Sequence, residues 1–284
     1  MSTDTGRSLT RLRQRLRPPC PVLDAHVHPL DCFGPYTVSS VREDVAGLRA
    51  TAERAGVSRI CVFSLHSECP REPTPDQIRE ANDYVLRMRD EAPDFVLPFC
   101  YVSPAFPDEA VAEIDRCVVG ERMVAVKLWV ARRATDPGLD PIARRAVDLG
   151  VPILQHAWIK TTGNLEGEST PLDVADLARR HPEVRIIMAH LNGCNPRGIE
   201  AVRPYPNVVV DTAGGDPEAG IVRHALKRLG PERVVYGSDA PIRHFGVSLA
   251  KAMGEGLARD EQVEVLWNNA VRLLPEWAGL EPVK

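Results

Sequence analysis

Short β-branched runs alternate with helical stretches along almost the whole of this chain. The runs predict eight strands, at residues 22–28, 59–64, 95–102, 123–128, 152–156, 185–190, 208–211 and 234–236. Helices are predicted between them at 41–55, 75–91, 108–118, 140–149, 171–180, 198–202 and 218–229, with a last helix and a C-terminal helical cap over 247–274. Because parallel strands need crossover helices, this alternation is typical of a parallel sheet in an α/β fold.

Eight such units fit a closed (β/α)8 TIM barrel, whose usual length is about 250 residues. An open, doubly wound sheet is the alternative. The chain has 284 residues, and no linker or repeat divides it. We therefore predict a single barrel domain over 1–284 with a short N-terminal extension, 1–20.

Charge and cysteine content narrow the choice of partners. A net charge of −4 leaves no general basic face for nucleic acid, and no apolar run approaches the ~18 residues of a membrane span. The seven cysteines form no Cys-x-x-Cys pair, which predicts reduced thiols and a cytoplasmic location. We expect a small-molecule substrate, no nucleic-acid or membrane partner, and a chain compatible with homo-oligomer formation.

The first predicted strand ends on two histidines, His26 and His28. Residues two apart on a strand point to the same face, so both imidazoles should enter one cavity. The strand breaks at Pro29, which places the pair at the C-terminal end, where α/β sheets carry their sites. The alternative is that both are core histidines whose ring nitrogens are hydrogen-bonded within the protein. Because they share one face, we favour the interpretation that they supply two ligands of a metal site.

Other strands end in the same way. His156 ends the fifth strand, His190 ends the sixth, and Asp239 closes the run after the eighth. Imidazole and carboxylate together form a ligand set for Zn²⁺ or Mn²⁺, with Fe²⁺ also compatible. Taken singly, His190 or Asp239 could instead stabilise a turn or cap a helix.

Strand alternation turns Lys127, on the fourth strand, into the barrel. Burying an unpaired ammonium is costly, so such a lysine usually deprotonates or finds a carboxylate. Two interpretations stay open. A neutral amine could take up CO₂ as a carbamate that bridges two metals, or Lys127 could pair with Asp239 or a substrate carboxylate. The choice decides between one and two divalent metals.

These residues together resemble the amidohydrolase superfamily. The runs Tyr236-Gly237-Ser238-Asp239 and Asn268-Asn269-Ala270-Val271-Arg272-Leu273-Leu274 resemble its amidohydrolase-2 branch, which contains both decarboxylases and lactonases. The resemblance extends from Val22 to Leu274. It implies His26, His28, His156 and Asp239 as ligands of a catalytic metal, and His190 as a second-site ligand or hydrogen-bond donor to substrate. Strand four departs from the branch, since it reads Lys-Leu-Trp where Lys-Leu-His is common.

We predict a metal-dependent hydrolase of an amide, lactone or other ester bond in a small carboxylated molecule. Asp239 would take the proton of a metal-activated water and deliver it to the leaving group, while His190 polarises the carbonyl. One alternative is a non-oxidative decarboxylase of a small aromatic or unsaturated acid, in which Asp239 or His190 protonates the carbon that loses CO₂. Another is a non-catalytic metal-binding barrel, although structural metal sites are usually closed and rich in cysteine.

Substrate contacts are expected from the loops that follow the strands. The candidates are His66, Trp129, Arg132, Arg133, Trp158, Lys160, Asn192, Arg243 and His244. Arginine holds a carboxylate through two parallel hydrogen bonds, which favours an anionic substrate. Tryptophan could form the wall for a flat ring.

Overall fold

A computed structural model describes residues 17–33, 36–215 and 218–283, except for the side chain of Asn192. Residues 1–16 of the predicted N-terminal extension lie outside these ranges. The described residues form eight strands in one sheet, each parallel to the next and ordered as in the chain. The strands are β1 Leu23–Val27, β2 Arg59–Val62, β3 Val96–Tyr101, β4 Ala125–Leu128, β5 Ile153–Gln155, β6 Ile186–Met188, β7 Val208–Asp211 and β8 Val234–Val235.

The sheet closes where β1 meets the end of β8 and the residues after it. The backbone N–H of Ala25 donates to the carbonyl of Tyr236 at 2.9 Å, and that of Asp239 donates to the carbonyl of His26 at 2.9 Å. The N–H of His28 donates to the carbonyl of Ala240 at 2.7 Å. The predicted (β/α)8 TIM barrel is therefore confirmed, and the open doubly wound sheet is wrong.

Helices cover the outside of the barrel. They are α1 Val41–Ala55, α2 Pro75–Glu91, α3 Pro107–Ile114, α4 Leu139–Leu149, α5 Pro171–Arg180, α6 Leu191–Val202, α7 Ile221–Leu229, α8 Phe245–Met253, α9 Arg259–Val263 and α10 Asn269–Leu273. The first two have strong local start signals: the Ser40 hydroxyl accepts from the N–H of Glu43, and Thr74 and Gln77 form a capping box. Both begin and end where the sequence predicts. Within the described ranges, every helix is too short or too polar to cross a membrane.

The helix bounds differ most from the prediction at α6. Helix α6 begins at Leu191, seven residues before the predicted start, because Asn195 and Pro196 interrupt the pattern without ending the helix. Asn195 has a positive φ of 50°, a left-handed conformation that asparagine tolerates better than most residues. The last helix and the C-terminal helical cap predicted over 247–274 correspond to α8, α9 and α10, with a π-helical turn, Glu264–Asn268, leading into α10.

The interior of the barrel is apolar through most of its depth and polar at the C-terminal ends of the strands. Inward-facing side chains from successive strands, among them Leu23, Phe63, Phe99, Leu154 and Ile187, form one buried cluster. Towards the C-terminal ends the inward positions become histidine, lysine and carboxylate. The apolar cluster therefore forms a rigid floor beneath the polar groups.

Candidate metal centre

His26 lies at the C-terminal end of β1, and one nitrogen of its ring is hydrogen-bonded to a carboxylate. Its Nδ1 lies 2.7 Å from Oδ2 of Asp211, at the end of β7, and both side chains are buried. A carboxylate can only accept, so Nδ1 carries the proton and Nε2 keeps its lone pair. That Nε2 lies 3.5 Å from Oδ1 of Asp239. Such a carboxylate–imidazole pair is the usual way to aim a metal-binding histidine.

Asp211 also accepts a hydrogen bond from the backbone of His190, a second predicted site residue. Its Oδ1 accepts from the backbone N–H of His190 at 2.8 Å and from that of Ala213 at 3.0 Å. Burial would raise the pKa of Asp211, but the imidazole of His26 and the contacts with His190 together outweigh burial and hold this pKa below its ordinary value. Sequence reasoning missed this residue, although β7, like its neighbours, ends on a metal-compatible side chain.

His190 follows β6 with a positive φ of 69°. Its Nδ1 lies 3.1 Å from the carbonyl oxygen of Ala157, which can only accept, so Nδ1 is the protonated atom. The remaining nitrogen, Nε2, is buried, has no hydrogen-bond partner among the described residues, and lies 3.9 Å from Oδ2 of Asp239. Leaving a buried acceptor unpaired is costly, so this lone pair is suited to bind a metal ion.

Asp239 and His28 complete the inner group. Nε2 of His28 lies 3.5 Å from Oδ1 of Asp239. Burial lowers the pKa of His28 to about 4, so its ring is neutral. Burial would raise the pKa of Asp239, but the surrounding imidazoles of His190, His28 and His26 hold it well below its ordinary value. The group therefore presents three imidazoles around one carboxylate.

This arrangement fits a divalent cation. One nitrogen or oxygen from each of His26, His190 and Asp239 lies within 4.8 Å of the others. Zinc lies about 2.0–2.2 Å from nitrogen and oxygen ligands, so a small contraction would bring all three into contact with one ion. His28 lies beside them, on the same carboxylate. Neutral imidazole and carboxylate suit Zn²⁺ or Mn²⁺.

His156, the fourth predicted imidazole, lies beside this group, but one of its two ring nitrogens points away from it. Its ring centroid is 4.8 Å from that of His190, while its Nε2 lies 2.8 Å from Oε1 of Glu168. Only Nδ1 of His156 is therefore left for a metal. Glu168 comes from the loop after β5, and no pattern in the sequence distinguishes it.

Lys127 projects into the barrel as predicted and is buried. Its Nζ lies 4.4 Å from the centroid of the Phe63 ring, and no carboxylate of the described residues comes within 4 Å of it. Of the two partners in the ion-pair interpretation, Asp239 does not form the pair, and a substrate carboxylate stays open as the partner. Burial lowers the pKa of Lys127 to about 7, against the opposing charges of Asp211 and Asp239.

A cavity of about 280 Å³ opens above these groups. Its apolar wall contains Phe33, Leu65, Trp129, Trp158 and Ile242, and its basic side chains are Lys127, Lys160 and Arg243. Lys160 is paired with Glu168 at 2.7 Å. Arg243 lines the cavity without a carboxylate partner among the described residues, and its Nε makes no hydrogen bond.

Of the predicted substrate contacts, the structure brings Trp158 and Arg243 to this cavity, together with Trp129 and Lys160. Four others lie elsewhere. Arg132 and Arg133 line a separate outer cleft, where Arg132 pairs with Glu72 at 3.0 Å, and His66 contacts Glu80 at 3.1 Å. His244 accepts from the N–H of Gly246 at the start of α8. The side chain of Asn192 lies outside the described part of the structure.

Solved structures of other proteins share this fold. A 2,6-dihydroxybenzoate decarboxylase from Rhizobium is 15% identical, with a TM-score of 0.69 over 89% of this chain and 98% of that one. A 5-carboxyvanillate decarboxylase from Sphingomonas paucimobilis is 16% identical, with a TM-score of 0.70 over 89% and 98%. A 5-carboxyvanillate decarboxylase from Novosphingobium aromaticivorans, in complex with manganese and a nitrobenzoic acid, is 15% identical, with a TM-score of 0.70 over 94% and 97%.

At these identities the likeness establishes the fold alone. A search of curated protein sequences finds no significant match. The family model described as amidohydrolase matches residues 24–275, a span that runs from β1 through the C-terminal helices and includes every residue of the metal group. Barrel, ligand set and family match agree, and the chain belongs to the amidohydrolase-2 family, a family of metal-dependent enzymes.

Proposed function

We propose that this protein is a metal-dependent, non-oxidative decarboxylase of a small aromatic acid. The observation that carries the proposal is the cavity itself, in which Trp129 and Trp158 lie beside a metal-ligand group and beside Arg243, which has no carboxylate partner in the described part of the chain. A flat ring fits tryptophan walls, and a carboxylate fits arginine. The structural neighbours support the proposal, since those named above are decarboxylases of aromatic acids.

The hydrolase that the sequence analysis placed first is now the second candidate. Its support is the family, whose name describes hydrolysis, together with a ligand set that could also hold a water. The aromatic cavity wall favours the decarboxylase over it.

His26, His28, Asp239 and His190 would hold the divalent ion, with His156 as a further ligand through Nδ1. When bound, the ion would neutralise and orient the substrate carboxylate and a neighbouring oxygen. The protein's own groups then have two tasks. Trp129, Trp158 and Arg243 orient the ring and exclude water, and one side chain supplies a proton.

Decarboxylation breaks a C–C bond and leaves its electron pair on the ring carbon, which must gain a proton as CO₂ departs. In the neutral form, His190 carries its only proton on Nδ1, bound to the carbonyl of Ala157, so it cannot donate from Nε2. Asp239 faces the cavity and is ionised there. We propose that it first accepts a proton from a hydroxyl of the bound acid and then transfers that proton to carbon.

The test uses full-length protein loaded with Mn²⁺ and a panel of hydroxybenzoic acids labelled with ¹³C at the carboxyl group, in D₂O. We expect labelled CO₂ and a phenol with one deuterium at the vacated carbon. Lactones and N-acyl compounds in H₂¹⁸O form the parallel arm. Hydrolysis with ¹⁸O incorporation and no release of CO₂ from any acid would contradict the proposal and establish the second candidate.

Lys127 is expected to remain unmodified, with one metal per chain. Its amine lies against Phe63, and the described residues provide a single three-residue ligand group for a metal. Metal analysis should therefore give one ion per chain, and bicarbonate should not change activity. Activity that is lost on chelation in CO₂-free buffer, and returns only with metal and bicarbonate together, would establish the carbamate and a second ion.

Arg243→Met should weaken substrate binding more than turnover. Loss of a charge-assisted hydrogen bond to a carboxylate costs about 1.5–3 kcal/mol, so KM should rise about 10- to 100-fold. We expect no fall in kcat, because the carboxylate loses its charge as CO₂ departs and the contact is weaker in the transition state than in the bound substrate. Arg132→Met is the matched control, because Arg132 lines a different cleft. Equal KM values for the two variants would place the substrate carboxylate elsewhere.

The seven cysteines are all free thiols, which supports the proposal of a reducing, cytoplasmic compartment.

A further inference from the structure

Glu168 is a buried carboxylate that the proposed reaction does not use. It is 0% exposed and lies on the loop between β5 and α5. Its Oε1 accepts from Nε2 of His156 at 2.8 Å and from Nζ of Lys160 at 2.7 Å, while Oε2 accepts from the N–H of Leu165 at 2.8 Å. Three donors therefore hold both oxygens of one carboxylate in place.

The backbone on either side of Glu168 is fixed as well. Gly167 has φ +74°, and a Cβ there would lie 2.2 Å from the carbonyl oxygen of Val130, so the loop passes too close to the chain after β4 for any side chain. On the other side, the carbonyl of Ser169 accepts from the N–H of Trp158 at 3.0 Å, and its Oγ accepts from the N–H of Ala134 at 2.9 Å. The position of Glu168 is thus determined by the loop, independently of His156.

The contact between His156 and Glu168 determines which ring nitrogen of His156 is free to bind a metal. A carboxylate only accepts, so the imidazole proton lies on Nε2 and the lone pair lies on Nδ1. Nδ1 has no hydrogen-bond partner among the described residues, and the ring packs against His190 beside the cavity. His26 has the same kind of contact on its other nitrogen: Nδ1 donates to Asp211, which leaves the lone pair of Nε2 for the metal.

We propose that Glu168 is a positioning residue of the metal centre: it keeps the proton of His156 on Nε2 and orients the ring so that Nδ1 binds the ion. The proposal rests on the metal centre of the proposed function and is independent of the reaction. Carboxylates that orient metal-binding histidines typically contribute a factor of about 10–100 to metal affinity.

The test compares Glu168→Ala and Glu168→Gln with the wild type in full-length, metal-free protein. We expect Glu168→Ala to raise the Kd for Mn²⁺ by about 10- to 100-fold. Glu168→Gln should give a smaller increase, because its amide oxygen still accepts from Nε2–H but carries no charge. Glu166→Gln is the control, since Glu166 is exposed on the same loop and should bind Mn²⁺ as the wild type does. If the alanine variant does not fold, the isosteric glutamine variant provides the comparison.

A second readout separates orientation from a merely structural role. Long-range ¹H–¹⁵N NMR on the metal-free wild type should show the proton of His156 on Nε2, and Glu168→Ala should show a mixture of the two tautomers. A wild-type proton on Nδ1, or a Mn²⁺ affinity of Glu168→Ala within threefold of the wild type, would overturn the proposal. Neither readout needs substrate, so a failed decarboxylase assay would contradict the proposed function without affecting this result.

Discussion

Asp239→Asn should retain much of its metal and lose at least about 10²-fold in turnover. An amide oxygen can still bind a cation, but it cannot accept and return a proton. Asparagine suits this position because Asp239 has φ +63°, a conformation that asparagine tolerates well. Steady-state kinetics on metal-matched samples, with metal content measured alongside, would check both halves of the expectation.

The outcome is informative in either direction. A variant with wild-type metal content and activity within about threefold of the wild type would remove Asp239 from acid–base chemistry. A variant without metal would show that the carboxylate is needed chiefly as a ligand, and the proton would then have to come from another group.

The double variant His26→Ala with His28→Ala should lose its bound metal and all measurable activity while the barrel still folds. Both rings lie above the apolar floor and contribute to the ligand group, whereas the floor itself stays intact. Removal of His26 leaves Oδ2 of Asp211 without its partner, so we expect a loss of about 1–3 kcal/mol in the free energy of unfolding. Metal analysis and circular dichroism would measure the two effects separately.

A matched double variant, His66→Ala with His244→Ala, removes two histidines that the structure places outside the cavity. It should bind metal like the wild type. Full metal content in the His26 and His28 variant, or an equal loss in both double variants, would contradict the assignment of β1 as half of the site.

The barrel and the positions of the strand-borne site residues follow from local patterns. Helices α1 and α2 begin at the predicted residues because their caps lie within one turn of the start. The residues at the strand ends meet because neighbouring parallel strands in a closed barrel bring their C-terminal ends together. Strand alternation also turns Lys127 inward, where the structure finds it buried.

Loop residues were the weak part of the prediction, for a physical reason. Arg132, His66 and His244 follow strands in sequence, but each is drawn away by a nearby partner that the strand pattern does not contain. Glu168 reaches His156 across a twelve-residue separation that depends on the course of the whole loop. No periodicity predicts such contacts, since they depend on tertiary packing.

His190 and Asp239 share one more property, which bears on engineering. Both adopt a left-handed backbone conformation just after a strand, which costs most L-residues about 1–2 kcal/mol and which glycine adopts without that cost. Glycine at these two positions would relieve the backbone but remove part of the metal-binding group, so selection for heat resistance alone can discard the site. Stabilising libraries built on this chain should keep both codons fixed.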